Sequence, residues 1–308
     1  MKHLRVTVLI LFLFSLSAIG GYFIAGYRFD YLQAQKSKIA FEARKKAWFR
    51  LEQSVVNEMS RFNGETGIVV KDLDTNWEIS FNKDKLFPSA SLAKVPIMAA
   101  CFLAAEQGRF KLDRNIALKS ADKFTGSGLL KDMPAGSAFS VERLIGLMIY
   151  DSDNTATNIV TNLAGIDYLN STFKVFGLKN TKLSRKIADY QSRDKGIENY
   201  TTAGEMALLL EKIYRGTLGN KKISDQCIGI LKLTRMNDRI PKYFPADVTI
   251  AHKTGLEKGV CHDAGILFAR KGNFIIVVLT RHANSTGAPS KEFIAKVSLH
   301  TYNYLEQF

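Results

Sequence analysis

Ser91 and Lys94 lie three residues apart at the start of a long apolar segment, residues 95–105. On a helix this spacing puts both side chains on one face, one turn apart. A lysine amine that has lost its proton can take the proton of a serine hydroxyl, which activates that oxygen for attack on a carbonyl carbon. Backbone N–H groups at the start of a helix can stabilise the resulting oxyanion. The pair is therefore a candidate nucleophile and base.

The Ser-x-x-Lys spacing does not identify the nucleophile by itself, because it occurs five times. Two triplets that each occur once narrow the choice: Ser-Asp-Asn at residues 152–154 and Lys-Thr-Gly at residues 253–255. Either triplet alone is typical of a helix cap or a strand end. Ser152 follows Ser91 by 61 residues, and Lys253 follows Ser152 by 101 residues. The remaining pairs are Ser80/Lys83, Ser120/Lys123, Ser171/Lys174 and Ser192/Lys195.

These three motifs, in this order and at these distances, resemble the set found in class A β-lactamases and penicillin-binding proteins. The spacing favours Ser91, because Ser171 and Ser192 follow the second triplet, and Ser80 and Ser120 fit less well. The resemblance covers about residues 48–308. It implies a serine hydrolase that is acylated by β-lactams or related amides and releases its product by hydrolysis.

The resemblance implies a role for each reacting group. Ser91 is expected to be the acylated nucleophile, Lys94 its proton acceptor, and Ser152 the group that passes the proton to the leaving nitrogen. The backbone N–H groups of Ser91 and Leu256 are expected to form the oxyanion hole. Lys94 can act as a base only if burial and a neighbouring cation lower its pKa.

Substrate binding is expected at the second and third motifs. Asn154 is expected to hold the substrate amide, and Lys253, Thr254 and Gly255 to bind its carboxylate. Many relatives also place an arginine near that carboxylate on the strand after Lys-Thr-Gly, where this sequence reads Cys-His-Asp. Arg281 on the last predicted strand is the candidate substitute.

The group that would release the acyl chain is not evident. Residues 183–202 lack the Glu-x-x-Leu-Asn setting in which class A enzymes keep the glutamate that activates water. The resemblance places that acid near Gln191, but a glutamine amide cannot take a proton from water. Asp189 and Glu198 are the candidate substitutes, and Asp189 is the nearer one. We therefore expect slow hydrolysis of β-lactams.

The elements that must position these groups follow from the hydrophobic pattern. Five segments alternate or are rich in β-branched residues and predict strands: 66–72, 77–81, 248–254, 264–269 and 273–281. Apolar residues at three- and four-residue steps predict helices at 39–62, 141–150, 154–163, 166–176, 203–215, 224–233 and 291–305. Residues 180–202 lack periodicity and predict a long loop. The pattern indicates an α+β fold: a mainly antiparallel five-stranded sheet flanked by helices, with an inserted all-α lobe at about 108–240.

The N-terminus predicts a membrane anchor. A short basic segment, residues 1–5, precedes 22 uncharged residues, 6–27, which as a helix would span about 33 Å against a bilayer core of about 30 Å. A basic helical linker, residues 28–47, leads to the catalytic domain, residues 48–308. The charges flanking the span do not favour a cytoplasmic N-terminus. The expected chemistry instead places the catalytic domain outside the cytoplasmic membrane.

Composition excludes several classes of protein. Of 308 residues, 46% are hydrophobic and 23% charged, as in globular proteins. A net charge of +14 indicates an anionic partner, but no base-reading motif supports nucleic acid. His252, Cys261, His262 and Asp263 do not favour a metal site, because neighbours on a strand point to opposite faces. We expect no metal and no cofactor, and buried, unpaired roles for Cys101, Cys227 and Cys261.

Two alternatives stay open at this point. One is a membrane-anchored D-Ala-D-Ala peptidase or transpeptidase acting on peptidoglycan stem peptides. The other is a non-turnover penicillin-binding sensor. Both share the nucleophile and differ in the fate of the acyl group.

Overall fold

The computed structural model describes residues 2–283 and 287–308. They form two compact units, Met1–Leu51 and Glu52–Phe308. Among the described residues, no helix is long and apolar enough to cross a membrane. The predicted span at 6–27 includes side chains outside the described set, at positions 6, 8–13, 16 and 18–20.

The described residues form the following elements. The helices are α1 (Lys2–Arg61), α2 (Lys94–Glu106), α3 (Val141–Tyr150), α4 (Asn154–Ala164), α5 (Ile166–Val175), α6 (Tyr190–Asp194), α7 (Ala203–Tyr214), α8 (Lys221–Leu231) and α9 (Ala288–Glu306). The strands are β1 (Glu65–Asp72), β2 (Glu78–Phe81), β3 (Phe87–Pro88), β4 (Asn115–Ala117), β5 (Ala138–Ser140), β6 (Tyr200–Thr201), β7 (Thr249–Glu257), β8 (Val260–Ala269) and β9 (Gly272–Arg281). Short 3₁₀ turns lie at Ala90–Ala93, Ser120–Asp122, Leu130–Asp132 and Ile240–Tyr243.

One five-stranded antiparallel sheet, in the order β2-β1-β9-β8-β7, joins the two ends of the second unit. Both faces of the sheet are buried. The central strand β9 contacts both sides, since its alternate residues point in opposite directions. Ile275, Val277 and Leu279 belong to the core shared with the helical lobe. Phe274 packs against Tyr304 of α9 on the other side. The predicted α+β fold with a five-stranded antiparallel sheet is confirmed.

The third motif lies inside a strand, whereas the sequence predicted it at a strand end. Strand β7 continues to Glu257, which pairs with Val260 at the start of β8. A two-residue connection closes this hairpin, and Gly259 makes it possible by adopting a φ of 79°. Hydrogen bonding to β8 therefore holds the backbone of residues 253–257 rigidly.

The predicted long loop at 180–202 is anchored at its base. Lys182 bridges to Tyr200, and Thr181 and Thr201 share a hydrogen bond of 2.9 Å between their hydroxyls. Glu205, in the first turn of α7, accepts bonds from the N–H groups of Asn180 and Thr181, both at 2.7 Å. The loop also contains the short helix α6 and the strand β6, which pairs with β3 just before Ser91.

Removing this anchor should destabilise the fold. We expect Glu205→Ala to lower the free energy of unfolding by about 2–4 kcal/mol, because buried N–H groups lose a charged acceptor. Urea denaturation followed by circular dichroism measures it. Glu142→Ala, at an exposed first-turn position of α3, is the control and should cost under about 1 kcal/mol. Equal losses in both variants would contradict the anchoring role.

Candidate active site

Three segments that are distant in the sequence meet at one serine hydroxyl. Lys94 at the start of α2 and Lys253 in β7 are both fully buried, and each places its Nζ 3.1 Å from the Oγ of Ser152. The Lys94 ammonium also contacts the carbonyl oxygen of Ser152 at 2.6 Å and Oδ1 of Asn154 at 2.9 Å. The structure thus brings together four of the residues singled out from the sequence.

The electrostatics of this cluster favour neutral amines. Burial, followed by the charge of Lys253, holds the pKa of Lys94 well below its usual range. Burial lowers the pKa of Lys253 to about 7, with Arg239 adding to the effect and Asp263 opposing it. Two ammonium groups cannot both stay charged cheaply in a site that water does not reach.

Loss of the proton from Lys94 would fix the orientation of the Ser152 hydroxyl. A neutral amine has two N–H donors and one lone pair, and two of its three partners are acceptor-only oxygens. In the structure both amines donate to Ser152 Oγ, and a Lys94 that had lost its proton would instead accept from the Ser152 hydroxyl while Lys253 continued to donate to that oxygen. This arrangement is a proton path from one lysine through a serine.

The loop before α4 positions Ser152 and Asn154. Asp153 is the N-cap of α4: its carboxylate accepts from the N–H groups of Ala156 and Leu130, both at 2.8 Å. Ser152 adopts a φ of 53°, and a side chain at Gly128 would collide with Asp153. The amide of Asn154 is engaged within the protein, because its Nδ2 donates to the carbonyl oxygen of Thr125 at 3.0 Å.

Ser91 lies in the 3₁₀ turn before α2, so it precedes the α-helix, and its side chain is partly exposed. His262 of β8 holds this turn against the sheet. Its Nδ1 accepts from the N–H of Thr280 at 3.1 Å, so its Nε2 carries the proton and donates to the carbonyl oxygen of Pro88 at 2.8 Å. A Cβ at Gly255 would lie 3.3 Å from the Cβ of Ala90, so the strand and the turn approach each other closely at this glycine.

The remaining predicted binding residues are distributed differently. Thr254 and Gly255 are buried in β7 beside Lys253, and Leu256 has an exposed side chain. Arg281 ends β9, two strands away from β7, and pairs with Glu65 at 3.1 Å. The structure therefore does not bring Arg281 to the lysine cluster.

Sequence reasoning missed a buried arginine near the cluster. Arg239 is almost fully buried, donates to Sγ of Cys261 at 3.2 Å and contributes to the lowered pKa of Lys253. It belongs to an irregular segment before β7, where neither periodicity nor a motif marks it. His252 and Asp263 pair with each other at 3.0 Å near this arginine. The three cysteines are free and buried.

The polar side chains of the loop at 183–202 are not placed to activate a water molecule. Asp189 is the N-cap of α6, and hydrogen bonds from Ser192 lower the pKa of its carboxyl. Gln191 is exposed. The residue fixed beside α4 is Ile187: its backbone exchanges two hydrogen bonds, of 3.1 and 2.9 Å, with the side chain of Asn158.

Ile187 is the second position that the sequence did not reveal. Asn158 follows Asn154 by one helical turn, so the two lie on the same face of α4, and Asn154 is a hydrogen-bond partner of Lys94. The loop residue held at this face is apolar and buried. An isoleucine can neither bind nor deprotonate water. A link between an α4 asparagine and the loop backbone is invisible in a single sequence.

The fold and the three-motif cluster are those of a serine acyl-transfer enzyme. The chain belongs to the beta-lactamase enzyme family, whose model matches residues 50–305. It is similar to β-lactamase VEB-1 of Pseudomonas aeruginosa, with 23% identity over 270 residues that cover 82% of this chain and 90% of that protein.

Solved structures agree with this assignment. A β-lactamase from Sphaerobacter thermophilus DSM 20745 superposes with a TM-score of 0.77 and 25% identity, covering 85% of this chain and 98% of that one. PBP-A superposes with a TM-score of 0.77 and 29% identity, covering 84% and 97%. A PBP-A mutant with a leucine replaced by glutamate was solved as an acyl-enzyme complex with penicillin G, and it gives a TM-score of 0.76. This chain is a serine β-lactamase-like hydrolase.

The buried amine of Lys253 should cost stability in a pH-dependent way. Below pH 7 the folded chain must hold a buried ammonium, while the unfolded chain keeps its proton up to about 10.5. The cost is therefore largest below pH 7 and shrinks as the pH rises from about 7 toward 10.5. We expect Lys253→Met to raise the melting temperature more at pH 6 than at pH 9, by at least about 3 °C.

Differential scanning calorimetry at both pH values measures this difference. Lys222→Met, at an exposed lysine, controls for the loss of one positive charge. A difference for Lys253→Met that is the same at pH 6 and pH 9 would contradict the assignment of a buried, strained amine.

Proposed function

We propose that this protein opens β-lactams by forming an acyl-enzyme at Ser91 and then hydrolyses the adduct slowly. One observation carries the proposal: the buried amine of Lys94 has a lowered pKa and contacts Ser152 Oγ, which also contacts Lys253. A lowered pKa makes this amine easier to deprotonate, and its neutral form can act as a base.

The proposed first half-reaction uses the motif residues in sequence. Lys94 takes the proton of the Ser91 hydroxyl as Oγ attacks the lactam carbonyl carbon. The proton then passes through Ser152 to the ring nitrogen as the carbon–nitrogen bond breaks. The N–H groups of Ser91 and Leu256 stabilise the oxyanion, and the rigid pairing of β7 supports this role for Leu256.

Substrate binding is proposed at the same strand. A β-lactam carries a carboxylate, which suits Lys253, Thr254 and Gly255, and Asn154 would hold the side-chain amide. Arg239 adds a second buried cation close to Lys253. It supplies the positive potential for which the sequence offered Arg281.

Slow hydrolysis is proposed because the loop offers no free base. Asp189 caps a helix, Gln191 is an amide, Glu198 is bound by Arg185, and Ile187 is apolar. The site therefore contains the groups that the proposed acylation needs, whereas the loop lacks the acid that this family usually uses for deacylation.

A fluorescent penicillin tests this function. We expect a covalent adduct on the catalytic unit, seen by intact-mass spectrometry, that is lost in Ser91→Ala. Ser120→Ala, which alters an exposed Ser-x-x-Lys pair outside the cluster, should label within about twofold of the parent protein. An adduct that survives Ser91→Ala would reject the nucleophile. D-alanine released from a pentapeptide, with no β-lactam turnover, would indicate a peptidase instead.

We also propose the domain arrangement suggested by the sequence. Residues 6–27 anchor the chain in the cytoplasmic membrane, residues 28–47 form a basic helical linker, and residues 48–308 form an extracytoplasmic catalytic domain. The uncharged run and its basic flanks support the anchor. Peptidoglycan and β-lactams are both met outside that membrane, which supports the placement.

Membrane fractionation tests the anchor. We expect the full chain to sediment with bacterial membranes and to resist carbonate extraction, because 22 uncharged, mostly apolar residues insert in the bilayer. Deleting residues 6–27 should move the protein to the soluble fraction. Protease added to spheroplasts should digest the catalytic domain, and protection from that protease would contradict the extracytoplasmic placement.

A further inference from the structure

Glu257 occupies a defined place relative to the nucleophile. Lys253, Gly255 and Glu257 alternate along β7 and therefore share one face of the sheet. On that face Lys253 reaches Ser152, and Gly255 abuts Ala90, the residue before Ser91. Glu257 therefore lies just beyond the nucleophile turn, on the side of the sheet where the catalytic lysines lie.

A single arginine joins Glu257 to the loop. Arg185 is buried, and its Nη2 donates to Oε2 of Glu257 at 3.1 Å and to Oε1 of Glu198 at 2.7 Å. The Glu257 side chain keeps 10% of its surface exposed. Within the described part of the chain, its Oε1 has no hydrogen-bond partner. One carboxylate oxygen thus stays open to a water molecule.

The surroundings of Glu257 make it a better base than Asp189 of the loop. Burial raises the pKa of its carboxyl, Glu198 adds to that rise, and Arg185 and Arg193 oppose it. The charge of Glu257 also acts on Lys94, where it opposes the lowering of that pKa, in agreement with the place of both side chains on one side of the sheet. By contrast, hydrogen bonds from Ser192 lower the pKa of Asp189.

The other carboxylates near the site are engaged through one or both of their oxygens. Both oxygens of Asp153 accept backbone N–H groups, and both oxygens of Asp189 accept from Ser192. Oε1 of Glu198 accepts from Arg185 and from the N–H of Asn199 at 2.7 Å. Among these, Glu257 combines burial, a free oxygen and proximity to Lys94.

We propose that Glu257 is the general base of deacylation, supplied by strand β7 in place of the loop. This proposal rests on the proposed acyl-enzyme at Ser91. Glu257 takes one proton from a water molecule, and the water oxygen bonds to the acyl carbon. The bond from that carbon to Ser91 Oγ then breaks, and Oγ receives the proton from Glu257. The products are the free acid and the Ser91 hydroxyl.

The decisive experiment separates the two half-reactions on the protein loaded with a fluorescent penicillin. We expect Glu257→Gln to form the adduct within about threefold of the parent rate and to release it about 100-fold more slowly, as for loss of a general base. In the parent protein the release rate should fall as acid protonates Glu257, and this acid limb should disappear in Glu257→Gln.

Glu198→Gln is the matched control, because Glu198 binds the same Arg185 nitrogen from within the loop. If Glu257 acts only as a clamp on Arg185, both variants should slow release alike, and that result would overturn the proposal. A parent adduct that is never released would overturn it too, while leaving acylation at Ser91 intact. Failure to form any adduct would reject the proposed function itself.

Discussion

The structure depends on burying two lysine amines beside one serine hydroxyl. Neither amine can keep an ordinary pKa there, because burial and mutual repulsion both oppose charge. Three elements that are far apart in the sequence hold these groups in place and offset the free-energy cost of burying them: the buried helix α2, the capped start of α4 and the hydrogen-bonded strand β7. Burial among these elements therefore favours loss of a proton from the two amines.

Much of this arrangement was predictable from the sequence. Motif distances selected Ser91 from five Ser-x-x-Lys pairs, and alternating apolar residues predicted the five-stranded sheet. These patterns are readable because a strand or a capped helix start imposes local residue preferences. The structure differs from the prediction only locally: the α-helix begins at Lys94, after Ser91, and β7 continues beyond the third motif to Glu257.

The residues that the sequence did not reveal are placed by contacts between segments that are distant in the chain. Arg239 lies in an irregular segment, and its closeness to Lys253 follows only from the packing before β7. Ile187 is defined by hydrogen bonds to Asn158, 29 residues earlier, and not by any spacing within the loop. Arg281 looked suitable by residue type, but the strand order puts β8 between it and Lys253. The groups proposed for acylation and for deacylation thus lie on or beside elements that carry motifs, with Glu257 two residues after Gly255 on β7, whereas the residues that the sequence did not reveal are placed by tertiary packing.

His262, which contacts the segment just before the Ser91 turn, limits the stability of the protein in acid. Burial lowers the pKa of His262 to about 4, because the charged ring would lose its hydration, and a second ring proton would also face the Thr280 N–H. Between pH 6.5 and 4 the unfolded chain binds a proton at this position that the folded chain refuses, so the free energy of unfolding decreases across that interval. A proton added at Nδ1 would remove the acceptor of the Thr280 N–H, while Nε2 would keep its proton and its bond to the Pro88 carbonyl. Acid therefore weakens the attachment of this imidazole to β9, whereas its link to the turn that contains Ser91 persists.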